Sequence, residues 1–186
     1  MHDLDAALAD ATRSSGGGVG FLIAYGATLL IAGLLAFVLP VNIAALVILF
    51  QGGVALPLAF ALERRLGFPP MAADNPLRSL SIQMAMTQVV ALPAVIITYD
   101  LNPVYVPAVF AAIGGGHFLP YAWLHRTRVY VVLGVVISFG FLLLTVILKQ
   151  AAFPYVPLFW AACYGVTALV LFRTVGQRAR SNEPPR

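Results

Sequence analysis

Four polar side chains stand deep inside long apolar runs: Gln51, Gln88, His117 and Tyr164, each nine to twelve residues from the nearest Arg or Glu on one side. At 1.5 Å per helical residue they fall roughly 13–18 Å from that boundary, so on helices they form one layer. Two amides, an imidazole and a phenol offer donors and acceptors without a fixed charge, which suits a neutral polar or amphipathic ligand. The same groups also serve as hydrogen-bonding glue between helices, worth about 0.6 kcal/mol per pair in a membrane. Tyr121 joins the candidate set because His117, Tyr121 and His125 recur at i, i+4, i+8 on one helical face. That face could carry a proton, or place His117 as one axial ligand with Met84 or Met86 opposite. Only His117 is deep, however, so no cofactor and no metal is expected.

Catalysis finds little support. Thr28, Thr87, Ser138, Thr145 and Thr167 are deep hydroxyls, yet no carboxylate accompanies a histidine to orient it, and no catalytic residue is assigned. Ser14-Ser15-Gly16-Gly17-Gly18-Val19-Gly20 contains G-x-G-x-G, but no strand precedes it, so it reads as a glycine approach to a helix and not a phosphate cradle. A single Cys, Cys163, excludes an intramolecular disulfide and reads as a small packing residue.

The elements that position these groups follow from composition. Hydrophobic residues make up 61% of the 186, charged residues 10%, and mean hydropathy is +0.92. A water-soluble globule, with about 25% charged residues, is excluded. Runs long enough for a hydrocarbon core about 30 Å thick number six: Gly18 to Leu39, Asn42 to Leu62, Leu77 to Thr98, Pro103 to Leu124, Arg128 to Leu148 and Pro154 to Phe172. Pro40 is expected to end the first helix and Asn42 to cap the second; Asn75-Pro76 reads as cap and first position of the third. As drawn, no span holds an Asp, Glu or Lys, and Arg128 sits at an edge, which disfavours ion pumping. Tyr99, Tyr105, Phe153 and Tyr155 on one side, with Trp123 and Tyr130 on the other, suit interfacial aromatic belts.

Arginine and lysine set the orientation. Arg13, Arg64, Arg65, Arg78, Arg126, Arg128, Arg173, Arg178, Arg180 and Arg186 fall on one side and Lys149 alone on the other, which predicts both termini inside. The net charge of +4 therefore requires no nucleic-acid partner. Acidic Asp3, Asp5 and Asp10 argue against a cleaved signal peptide, while Leu4, Ala7, Leu8 and Ala11 mark a short amphipathic helix packed under the bundle. The expected organisation is a cytoplasmic segment over 1–17, a six-helix membrane domain over 18–172 and a basic cytoplasmic tail over 173–186.

At an offset of 63, residues 51–60 match residues 114–123 at five of ten positions, including Gly52 with Gly115, Gly53 with Gly116 and Pro57 with Pro120. This predicts parallel hairpin repeats, with spans five and six a divergent third copy. Pro57 and Pro120 are expected to kink their helices, and the glycines to allow close helix approach.

A basic residue followed by Gly-Gly-x-Gly at the first span, Ala73-Asp74-Asn75-Pro76-Leu77-Arg78-Ser79-Leu80 before the third, and Gly114-Gly115-Gly116 with Tyr121 in the fourth carry a resemblance over residues 13 to 145. The chain resembles a family of small bacterial multi-pass membrane proteins known only as a domain of unknown function. The resemblance implies a bacterial inner-membrane location and brings no activity, ligand or catalytic residue.

The sequence thus predicts an all-α polytopic membrane bundle of six transmembrane helices, N-in and C-in. Its expected partners are the lipid bilayer, a small-molecule ligand held by Gln51, Gln88, His117, Tyr121 and Tyr164, and further copies of itself. A small transporter or membrane-embedded binding protein is the leading reading. An accessory or assembly protein acting through glycine-rich helix faces is the rival, and a lipid-modifying enzyme is disfavoured.

Overall fold

A computed structural model describes residues 3–181, with side chains placed over 3–174. The chain is all-helical over these residues, and six helical stretches are long and apolar enough to cross a membrane: Gly16–Leu35, Val41–Arg65, Leu77–Leu101, Pro103–Leu124, Val129–Ala152 and Tyr155–Thr174. They comprise helices α2 (Val19–Leu35), α3 (Val41–Phe50), α4 (Gly52–Arg65), α5 (Leu77–Leu101), α6 (Val106–Gly116), α7 (Phe118–Leu124), α8 (Val129–Leu148) and α9 (Tyr155–Ser181), after a short α1 (Leu4–Ser14). The basic tail expected over 173–186 continues α9 to Ser181; the side chains of Arg178 and Arg180, and Arg186 altogether, lie outside the described residues.

Several boundaries differ from the sequence expectation. The first helix stops at Leu35, and residues 36–39 form turns bonded back to Leu34 and Leu35. Pro40, and not Asn42, takes the position before the second helix, because its extended ψ of 141° aims its carbonyl at the Ala44 N–H. Asn75 does cap the third: its Oδ1 accepts from Leu77 N at 2.9 Å while Pro76 already has helical dihedrals.

The second and fourth spans are each broken in two. The interruptions sit at Gln51 and His117, upstream of Pro57 and Pro120 where the kinks were expected. Each proline lacks an N–H and crowds the carbonyl four residues earlier, Gly53 or Gly116, so the strain falls on glycine-rich turns that hold a helix poorly. Past Gln51 the packing shifts: α4 lies along α2, whereas α3 divides its contacts between α6 and α2.

Around the bundle the order is α4, α2, α9, α8, α6, α5, each packed on the next. Leu22, Leu29, Ile48, Phe110, Ile137 and Trp160 contribute to the core between them. The ring is not closed, because α5 packs on α6 and touches α3 but forms no packed pair with α4. Most of α5 faces outward; only Leu77, Met84 and Val95 are buried.

Gly16, Gly17 and Gly18 link α1 to α2 with φ of +55°, +69° and +87°, a left-handed run that side chains with a Cβ resist. It is a fixed elbow, pinned where Tyr130 Oη donates to Gly17 O. The elbow lays α1 across the end of the bundle that carries the arginine-rich loops, here the basic face. Ala7, Leu8 and Ala11 pack there on Leu77, Met84 and Leu124, while Leu4 of the expected stripe is exposed. Polar bonds hold α1 as well: Asn75 Nδ2 donates to Ala7 O (3.0 Å) and Asp10 Oδ2 (2.8 Å), Ala72 N donates to Asp10 (3.1 Å), and Asp5 pairs with Arg126.

Candidate functional site

The open seam between α4 and α5 leads into a cavity of about 1000 Å³, at the upper end of ordinary ligand sites. It runs from the basic face, where α1, the 66–76 loop, Arg64 and Arg78 form its mouth, to a deep end lined by Gln51, Gln88, Phe110 and Trp160. Along the seam, Leu56 and Phe60 of α4 and Ile82 and Met86 of α5 line the cavity yet remain 43–57% exposed, so the opening faces sideways as well as down.

All five sequence candidates, Gln51, Gln88, His117, Tyr121 and Tyr164, line this one cavity. Their local structure differs. Gln51 is buried at the α3–α4 break and accepts a hydrogen bond from Thr28 Oγ1. Tyr121 Oη donates to Ser81 O at 3.4 Å, bridging α7 to α5. His117, at the α6–α7 break, faces the Gly114 carbonyl through Nδ1 at 3.3 Å and lies edge-on to Tyr121, with ring centroids 5.1 Å apart. Tyr164 is buried among aromatic rings, near-perpendicular to Phe118 (5.5 Å) and Trp160 (5.8 Å). Gln88 is half-buried on α5 and makes no hydrogen bond to another described residue. The glue reading therefore fits Gln51 and Tyr121, whereas Gln88 lines the cavity without such a bond among the described residues.

The three-residue face on α7 is real and continues downward. Tyr121 and His125 stack at 6.0 Å, and Tyr130 of α8 approaches both at 6.1 and 5.6 Å. His125 ends the row beneath α1, where Thr12 Oγ1 is 3.3 Å from Nδ1; burial pulls its imidazole down to about 4. At the same mouth the amide of Asn75 and the backbone N–H of Ala72 hold the Asp10 carboxyl below the usual carboxylate range. Among the described residues no group of three or more His, Cys, Asp or Glu is placed to hold a metal.

The apolar run of the second span ends at Leu62, one residue before Glu63. In the structure α4 continues to Arg65, and Ala55, Ala59 and Glu63 follow one another at i, i+4, i+8 along its inner face. The two alanines are fully buried, and Glu63 Oε1, at the cavity wall, is buried without a hydrogen-bond partner among the described residues. Thus the cavity wall carries an ionisable side chain, and the expectation that the spans hold no carboxylate is corrected. The run Ala55, Ala59, Glu63 is the signal that could have extended the helix.

The repeated glycines do unequal work. Gly115 lies against Gly134 and Ser138 of α8, Gly52 lies beside Tyr25, and Gly53 faces open space.

Compared with known proteins, the chain matches the model of a family of unknown function, DUF7010, over residues 4–174, and it belongs to that family. No curated protein and no solved structure matches it.

Proposed function

We propose that this DUF7010 member is a membrane-embedded binding or transport protein for a small neutral or amphipathic ligand. The observation that carries the reading is the cavity of about 1000 Å³, which gathers Gln51, Gln88, His117, Tyr121 and Tyr164 and opens both at the basic face and between α4 and α5. Mostly apolar walls with a few polar groups suit a molecule that partitions into the bilayer and keeps one polar end. Sideways access admits such a molecule without passage through water.

Native mass spectrometry of the full chain, extracted gently from membranes, tests this. A discrete small-molecule adduct is expected, with occupancy reduced at least about fivefold in Gln88→Leu at unchanged melting temperature, the equivalent of one lost hydrogen bond. A bare spectrum, or an adduct indifferent to Gln88, counts against the site. The rival reading, assembly through small-residue faces, draws on an outward groove between α2 and α9 lined by Gly26, Ala27, Ala162 and Gly165. The same spectrum would show it as a defined oligomer mass.

The proposed setting is a bacterial inner membrane with the basic face inside, supported by the arginine asymmetry. In a Cys163→Ser background, Asp3→Cys should resist an impermeant maleimide in intact cells and Leu101→Cys should react; the opposite pattern would reverse the orientation.

A further inference from the structure

Glu63 is a half-buried acid in a mostly apolar wall, and its buried Oε1 has no hydrogen-bond partner among the described residues. Its stem packs so closely on Gly20 of α2 that a Cβ there would lie 2.7 Å from Glu63 Cγ, which fixes the side chain against the cavity. The ion pairs among the described residues are Arg13–Asp10 and Arg126–Asp5, so neither Arg64 nor Arg78, both exposed at the mouth, neutralises it. A buried carboxylate oxygen without a partner is costly, and either a proton or a cation brought by a ligand relieves it.

The surroundings define that cation. Phe21, Tyr25, Phe60, Phe68 and Tyr130 line the same cavity as Glu63, and aromatic faces attract a weakly hydrated cation through their quadrupoles. A small metal ion would require several converging oxygens, and Glu63 offers a lone carboxylate. Deeper, Trp160 adds a further aromatic face. The exposed apolar residues along the α4–α5 seam favour access from the bilayer.

From this juxtaposition we infer that the cavity takes a lipophilic organic monocation, an amine or quaternary onium with an apolar body, its charge held by Glu63 and the aromatic walls. The inference rests on the cavity being a ligand site, and it adds the sign of the ligand's charge and the residue that reads it.

Tetraphenylphosphonium and tetraphenylborate, matched in shape and opposite in charge, separate the two claims. Binding of each to the purified full chain in detergent is measured by equilibrium dialysis against empty micelles. Saturable phosphonium binding at least tenfold tighter than borate is expected, weakened tenfold or more by Glu63→Gln and partly retained by Glu63→Asp. Borate binding as tightly as phosphonium overturns the charge assignment, and this comparison needs no variant. Phosphonium affinity unchanged in a folded Glu63→Gln protein also overturns it. If in either case Trp160→Leu weakens both ions, the ligand cavity stands and only its charge preference falls. Failure of both ions to bind saturably overturns the cation site, and a bare native mass spectrum alongside it sinks the ligand cavity too.

Discussion

Replacing Gly115 with leucine is expected to lower the melting temperature by about 10 °C or more, while the same replacement at Gly53 leaves the fold intact. Where α6 crosses α8 the two backbones touch. A Cβ on Gly115 would lie 2.9 Å from Gly134 O and 3.2 Å from Ser138 N, and one on Gly134 would lie 2.7 Å from Gly115 O. These are main-chain atoms on both sides, so no rotamer change relieves the clash, and the helices must separate. Overpacking typically costs about 1–3 kcal/mol where side chains can adjust, and a backbone contact belongs at or above the top of that range. For a chain of this size about 3 kcal/mol lowers the melting temperature by about 10 °C. At Gly53 nothing lies within 4 Å, and leucine is the better helix former by nearly 1 kcal/mol. Size-exclusion profiles and thermal melts of the two variants decide the matter; a Gly115→Leu protein that is monodisperse and melts within 2 °C, roughly, of the parent would refute the close crossing.

That pair also shows where sequence reading stops. In the 63-residue repeat Gly115 is the equivalent of Gly52, and Gly116 of Gly53; all four read as sites of close approach, yet Gly53 and Gly116 face open space and Gly52 reaches only ordinary contact with Tyr25. The difference lies in the neighbour: Gly115 meets a glycine and a serine spaced four apart on α8, a helix whose place beside α6 depends on the whole ring of contacts. The six spans, by contrast, were legible because apolar length is a property of each segment alone. The four mid-depth groups were legible for the same reason, since depth along a helix can be counted, and Tyr121 followed from its spacing to His117; all five line one cavity. Glu63 was missed because charges were used to mark where spans end. Burial of a carboxylate on the inner face of a terminal turn, with Arg64 and Arg65 exposed beside it, breaks that rule without altering the span count. The helix breaks were misplaced for a related reason: proline shows where a hydrogen bond is lost, but the weakest nearby turn decides where the helix yields.

Acid is expected to release α1 from the basic face, and the sign follows from the two groups beneath and upon it. His125, buried and only 6% exposed, has a folded-state value near 4 against an ordinary value of 6.5, so the docked state favours the neutral ring. Its contribution is complete above pH 6.5 and is lost as the pH falls toward 4, because the released state takes up a proton that the docked state refuses. Over that window the protection of α1 should fall by up to about tenfold per pH unit. Asp10 acts lower: its depressed carboxyl stabilises docking above the ordinary carboxylate value of 3.8, and this is lost as the pH drops through the folded value. The apolar contacts of Ala7, Leu8 and Ala11 and the hydrogen bond from Asn75 to Ala7 O do not titrate, so docking that persists below both transitions measures these. Hydrogen exchange of residues 4–14, corrected for the intrinsic pH dependence, should show the first phase in the parent and not in His125→Gln. Asp10→Asn should remove the second while leaving the first. Protection that stays level between pH 6.5 and 4 in the parent would show that α1 does not seal His125. Because Ala11, Ser14 and Ser15 form part of the cavity mouth, the released helix widens the passage on the basic face, and ligand exchange should quicken over the same pH range in which α1 loses protection.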